Sequence, residues 1–229
     1  DARNRFIADA DYTTRIHHML APETAASLAS LVNPKQAMKN LSAATGAIHK
    51  DTVYITVVDK DRMAVSLIYS IFHSFGSGIA SDRYGILFQN RGAGFTLEEG
   101  HPNELGGGKR PMHTIIPGML AHNGQVTMPF GVMGGAYQPN GHARLLSNML
   151  DFGLDIQTSV DAPRSFFDNG VLKIERGYAP EVHQSLAKMV HKIEIPEGPI
   201  GGGQAIFIGD NGILTGASDP RKDGCALGY

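Results

Sequence analysis

Residues 52–71, TVYITVVDKDRMAVSLIYSI, decide how this chain folds. Val53, Ile55 and Val57 alternate with Tyr54, Thr56 and Val58, a β-branched and aromatic run of period two. Asp59-Lys60-Asp61-Arg62 has the chemistry of a turn, and Met63 to Ile71 is a second apolar run, so the segment predicts an antiparallel hairpin. Upstream the pattern differs. After Ala21-Pro22-Glu23, Leu28, Leu31 and Val32 fall at helical spacing, and Pro34 interrupts them. A second short helix is expected through Ala37, Met38 and Leu41, followed by an exposed linker at Thr45-Gly46-Ala47.

Downstream, Gly85 to Phe88 reads as a short strand, and residues 92–111, with six glycines and two prolines, as a long loop. Thr114 to Leu120 and Gln125 to Phe130 flank Asn123-Gly124, a hairpin turn signal. Residues 141–152 and 155–162 read as helices, 171–175 as a strand, 180–191 as a helix, and 205–208 with 212–215 as a closing hairpin. Hairpins, then helices, then a hairpin predict an α+β fold with mostly antiparallel sheets.

Composition narrows the function. With 20 basic and 22 acidic side chains in 229 residues, the chain lacks the basic excess of a nucleic-acid binder. No apolar run approaches the roughly 20 residues that span a bilayer, so no membrane partner is expected. The single cysteine, Cys225, excludes an internal disulfide and is read as a small buried or half-buried side chain. The chain opens at Asp1 without methionine and is read as a piece of a longer precursor. Its compartment stays open between cytoplasm and periplasm.

Several motifs fail on inspection. Gly107-Gly108-Lys109-Arg110 lacks the Ser or Thr that a phosphate loop needs after its lysine, and Gly76-Ser77-Gly78 lacks the third glycine of a dinucleotide fingerprint. His17 and His18 are adjacent and would point apart on a helix, and no HExxH occurs. No cofactor and no metal are expected. Lys109-Arg110 is read as a loop anchor, and Asp219 with Arg221 as a structural salt bridge.

Thr52 is the residue that carries chemistry. Alone it is an ordinary strand opener. Scission of the Asp51–Thr52 bond would make it a chain end, where its own amine, with an ordinary pKa near ~8, can serve as base for its hydroxyl. Its company sharpens this reading. Thr52 to Asp59 is followed by Tyr69-Ser70, Phe75-Gly-Ser-Gly78, Gly85 to Asn90, Gly108-Lys-Arg-Pro111, Gly134-Gly135, Asp161-Ala-Pro-Arg164 and Gly216-Ala-Ser-Asp-Pro-Arg221.

This series resembles the small subunit of the γ-glutamyltranspeptidase family, in the branch similar to cephalosporin acylases and transpeptidase-like hydrolases. The resemblance implies a four-layer αββα sandwich of the N-terminal-nucleophile hydrolase type. It assigns residues 52–229 to the small, catalytic subunit and residues 1–51 to the C-terminal tail of the large subunit. The rest of the large subunit is then the partner, higher oligomers stay open, and the substrate is a small acyl amide. Thr52 matches the family nucleophile, Ser70 the second hydroxyl that bonds it, and Gly134-Gly135 the oxyanion-binding pair. The family's asparagine, glutamine and aspartate around the substrate ammonium correspond to Phe72, Arg91 and Gly94. Its serine pair around the substrate carboxylate corresponds to His113 and Thr114. Arg91 is therefore expected to take a carboxylate of a dicarboxylic acyl chain, or else to be a surface or ion-pair residue. The implied function is a self-processing amidohydrolase or acyltransferase acting on γ-glutamyl or related dicarboxylic acyl amides. The alternative is a catalytically silent structural or binding subunit.

Overall fold

A computed structural model describes residues 2–38 and 52–229. In chain order its helices are α1 (Ala2–Phe6), α2 (Ile16–Leu20), α3 (Pro22–Ser30), α4 (Gln138–Leu150), α5 (Ile156–Asp161) and α6 (Pro180–Lys188). Its strands are β1 (Thr52–Val58), β2 (Ala64–Ser70), β3 (Gly118–His122), β4 (Gln125–Met133), β5 (Ser165–Asp168), β6 (Val171–Ile174), β7 (Ile193–Glu194), β8 (Gly202–Ile208) and β9 (Leu214–Ser218). Three sheets form: β1-β2, β3-β4-β8-β9 and β5-β6-β7. Every pairing is antiparallel except β6 with β7. Among the described residues no helix is long and apolar enough to cross a membrane.

The alternation in β4 sorts its side chains into two layers. Met128 and Phe130 face Leu145 of α4 and Ile156 and Val160 of α5, and form a core with Ala205 and Ala217. Val132 joins Tyr137, Phe166 and Ile200 in a second cluster. On the other side, Met133 packs with Tyr54 and Ile68 of the β1-β2 hairpin. Gly131 lies on this side as well. A Cβ there would stand 2.4 Å from the Tyr54 ring, so only glycine lets the hairpin seat against the strand. The result is a hairpin on a sheet on a helix pair.

The hairpin's outer face has no cover among the described residues. Val53, Ile55, Val57, Val65, Leu67 and Tyr69 are paired in register and are all 44–63% exposed. Leu28, Leu31 and Val32 of the first predicted helix are likewise exposed.

A buried ion network locks the far side. Asp219, fully buried, accepts from Arg164 at 2.5 Å, from Arg221 at 3.1 Å and from the Gly203 N–H at 2.7 Å. Arg221 also pairs with Glu175 at 2.7 Å, and Glu175 accepts from the Ile200 N–H at 3.1 Å. The expected Asp219–Arg221 bridge is thus one edge of a larger net. The loop anchor is present too: the Arg110 N–H bonds the Asp9 carboxylate at 2.7 Å, and the Lys109 ammonium sits 3.9 Å from the Tyr12 ring.

Several expectations are corrected. Residues 85–88 form no strand, only an isolated bridge between Ala80 and Leu87, because no neighbouring strand continues the ladder. Ala37 and Met38 are not helical, and Leu41 with the 45–47 linker lies outside the described residues. Residues 114–117 are irregular, and β3 begins at Gly118. The helix expected from 141 starts earlier, with Pro139 in its first turn. Strands β5 and β7 had no sequence signal of their own. Cys225 is exposed, since the last residues run along the surface.

Replacing Asp219 by alanine strands the buried Arg164 guanidinium without its anion and leaves Arg221 with Glu175 alone. The variant should lose roughly 3–5 kcal/mol of stability, read as a lowered denaturant midpoint with an unchanged slope.

Candidate active site

The last pair of the β1-β2 ladder is Thr52 opposite Ser70. The Thr52 hydroxyl donates to Ser70 Oγ at 3.0 Å, and Ser70 Oγ also accepts from the Phe72 N–H at 3.1 Å. The hairpin's register fixes where this pair stands. Ser66 donates to the Phe130 carbonyl at 3.3 Å, Tyr54 lies on Gly131, and Tyr54 and Ile68 pack on Met133. Stepping along both layers carries Thr52 and Ser70 one same-face step beyond Tyr54 and Ile68, toward the end of β4.

Gly134 and Gly135 both have positive φ, 125° and 57°. A Cβ on Gly134 would come within 2.9 Å of the Gly201 Cα, so two backbones meet here where a side chain has no room. Gly135 opens a 3-10 turn through Tyr137 that runs straight into α4. The N–H groups of Gly134 and Gly135 therefore sit at the head of a helical rod, where amides lack intrahelical partners and the dipole favours negative charge. Arg3 donates to the neighbouring Ala136 carbonyl at 2.9 Å, tying the N-terminal segment to this turn.

Phe72 follows the hairpin in a left-handed conformation, φ 78°, with its side chain buried. Such a backbone is uncommon for a bulky residue and costs on the order of 1–3 kcal/mol. Asn90 holds it in place by accepting from the His73 N–H at 3.0 Å and pairing with the His73 ring at 2.9 Å. Arg91 opens a 3-10 turn, Arg91–Gly94, and its guanidinium lies 5.3 Å from the Phe72 ring centroid. Asn103, buried, donates to the Gly94 carbonyl at 2.6 Å and accepts from the Met112 N–H at 2.7 Å, clamping this turn to the segment that carries His113 and Thr114. Thr114 is buried and His113 is exposed.

The reading of Arg91 as a surface residue is overturned, and among the described residues no carboxylate pairs with it. Arg91 is 8% exposed, and both of its Nη atoms are buried without a hydrogen-bond partner. Burial draws its pKa below the usual guanidinium value. Partial desolvation, and then the charge of Arg91, hold His113 below the ordinary histidine range. Thr52, Ser70, Phe72 and Arg91 thus form one run of contacts, with His113 within electrostatic reach. Sequence reasoning missed His73, Asn90 and Asn103. The only signal for Asn90 and Asn103 is an amide residue within or beside a glycine-rich loop, where its side chain can replace missing backbone partners, and His73 carries no signal of its own. Among the described residues no cluster of His, Cys, Asp and Glu suited to a metal ion occurs.

Comparison with known proteins gives these features a lineage. A family model described as γ-glutamyltranspeptidase matches residues 1–229. An oxamate amidohydrolase proenzyme of Klebsiella pneumoniae is 35% identical over 223 residues, covering 93% of this chain and 42% of the relative. The crystal structure of a cephalosporin acylase from Bacillus halodurans is 34% identical with a TM-score of 0.87, covering 99% of this chain and 42% of that one. A γ-glutamyltranspeptidase from Pseudomonas nitroreducens complexed with L-DON is 26% identical with a TM-score of 0.72, covering 77% of this chain and 98% of that one. The chain spans about two fifths of the length of the curated relative and of the acylase.

Replacing Arg91 by glutamine removes a positive charge that disfavours the imidazolium. The His113 ring should then titrate at higher pH than in the parent protein, followed by its NMR resonances. An unmoved midpoint would contradict the proximity of the two groups.

Proposed function

The chain belongs to the γ-glutamyltranspeptidase family, and from that premise we propose that it carries the nucleophile of a self-processing amidohydrolase or acyltransferase. The observation that carries this reading is the Thr52–Ser70 hydroxyl pair, 3.0 Å apart, at the end of the β1-β2 ladder. Scission before Thr52 divides the chain into a large-subunit tail, residues 1–51, and a small catalytic subunit, residues 52–229. The Pseudomonas transpeptidase chain, nearly all of which matches about the share that residues 52–229 represent, supports this division, as does the word proenzyme in the amidohydrolase's name.

The mechanism follows from the groups present. The free amine of Thr52 takes the proton of its own hydroxyl, and Thr52 Oγ1 attacks the acyl carbonyl. Ser70 Oγ, itself held by the Phe72 N–H, fixes the rotamer of the attacking oxygen. The Gly134 and Gly135 amides receive the negative charge of the tetrahedral intermediate, a contribution of roughly 3–4 kcal/mol per well-aimed donor. The amine then gives its proton to the leaving nitrogen, and water or an acceptor amine resolves the acyl-threonine ester.

Substrate and partner follow from what surrounds this centre. Phe72, Arg91, His113 and Thr114 line the acyl side. The substrate is a γ-glutamyl or related dicarboxylic acyl amide, a class that includes the small carboxylate-bearing amide named for the Klebsiella relative. The upstream polypeptide is the obligatory partner. Its elements would cover the exposed apolar face of Val53, Ile55, Val57, Val65, Leu67 and Tyr69 and complete a four-layer αββα sandwich.

The full-length precursor should separate into two bands on a denaturing gel, with Thr52 as the first residue of the smaller one by N-terminal sequencing. Thr52→Ala should remain a single inactive chain. Activity in an uncut polypeptide would refute the mechanism.

A further inference from the structure

The reaction outlined above makes no use of the most unusual electrostatic feature of the molecule. Arg91 keeps a permanent positive charge. Among the described residues no carboxylate pairs with it, and both Nη atoms lack a partner despite being buried. A structural arginine at this depth is normally paired, as Arg164 and Arg221 are in the same chain. Arg91 is held, moreover, in a defined direction. Its backbone N–H bonds the Gln89 side chain, its guanidinium carbon stands 5.3 Å over the Phe72 ring, and Asn103 clamps its turn.

We propose that the two Nη donors of Arg91 form a subsite for the carboxylate of the acyl group, and that the same subsite turns away acyl groups bearing a free ammonium. The proposal rests on the amidohydrolase reading and narrows it to amides of dicarboxylic acids that lack an α-amine.

Three features favour it. A planar fork of parallel N–H donors matches a carboxylate in bidentate geometry. The Phe72 ring, already occupied by the guanidinium, offers an ammonium no acceptor and no free aromatic face. Gly94 completes the argument. Residues three apart in a 3-10 turn are eclipsed, so position 94 stands over position 91. The backbone at Gly94 does not demand glycine. Its φ is not in the left-handed region, and a Cβ would meet only the Met112 carbonyl at 3.5 Å and Pro111 at 3.7 Å, ordinary contact distances. What glycine does there is place no side chain over Arg91. A carboxylate side chain in its place would pair with the fork and occupy it.

The test uses the processed, full-length enzyme and ammonia release from matched amides. Glutaramate carries the carboxylate, pentanamide is its neutral counterpart, and glutamine adds the ammonium; oxamate and succinamate, each beside a neutral amide of its length, scan chain length. At the preferred length the carboxylate amide should exceed the neutral one by about 100-fold in kcat/KM, a typical discrimination for a bidentate charge-assisted contact, and glutaramate should exceed glutamine. Arg91→Gln should collapse the first ratio mainly through KM, and Gly94→Asp should do the same while keeping the arginine. Free glutarate, as a probe independent of turnover, should raise the melting temperature of the parent enzyme and not of Arg91→Gln. Equal handling of charged and neutral amides, or ratios untouched by both variants, would overturn the subsite while leaving the amidohydrolase intact. If Arg91→Gln instead lowers the melting temperature and changes no ratio, Arg91 is the counter-ion of a carboxylate in the upstream polypeptide, and the proposal fails. Absence of cleavage together with absence of glutarate stabilisation would remove both readings. Glutarate stabilisation without cleavage would retain the subsite and reject the reaction.

Discussion

The seat of the Tyr54 ring on Gly131 is the contact from which the rest of the site is measured. A side chain on residue 131 would collide with the ring at 2.4 Å, and sheets packed face to face tolerate little sliding once large and small residues interlock. That interlock fixes the height of the hairpin over β4. The height, in turn, sets the level along β4 at which Thr52 and Ser70 stand. A slip of one residue along either strand would also turn Thr52 to the opposite face, because side-chain direction alternates at every step.

The far side of the sheet holds the other half of the frame. Gly134 meets Gly201 backbone to backbone. The segment from Ile200 to Gly203 is gripped by Arg164, Asp219 and Glu175 through the Ile200 carbonyl, the Gly203 N–H and the Ile200 N–H. The ion network therefore does more than stabilise. It sets the surface against which the glycine turn rests, so charges remote from any substrate govern the aim of two amide groups. Pairing satisfies nearly every group in that network, which makes each member costly to lose and explains why so polar a cluster persists at full burial.

The sequence made the local chemistry legible where one strong preference decided it. The period-two run at Thr52 and the Asn123-Gly124 turn both read correctly because each depends on its own residues. Asn123 and Gly124 both adopt positive φ, as their turn requires. Elements that depend on a distant partner did not read. Residues 85–88 have strand composition but gain only one bridge, while β7 is two residues long and exists because β6 offers it a parallel edge. Residues 114–117 lose strand form where the Ile116 N–H bonds the Gln138 side chain. Of the site, the identity of Arg91 was visible in the sequence. Its burial and its lack of a partner were not, since both are properties of the chain around it.

Two deficits bear on what the chain binds, and they differ in kind. The outer face of the hairpin is apolar, broad and regular, a shape complementary to another packed layer and too featureless to select a small molecule. The Arg91 fork is polar, narrow and directional, and lies at the end of a run of contacts that begins at Thr52. Burial of apolar surface is non-directional and scales with area, so the first deficit asks for a protein. An unpaired buried cation gains most from one compact anion in a fixed orientation, so the second asks for a ligand. Strain at Phe72 falls between them. A left-handed aromatic residue persists only where its surroundings over-determine it, and here it joins Ser70 to Arg91, so the same backbone distortion that bonds the Ser70 hydroxyl also places the ring that the guanidinium approaches.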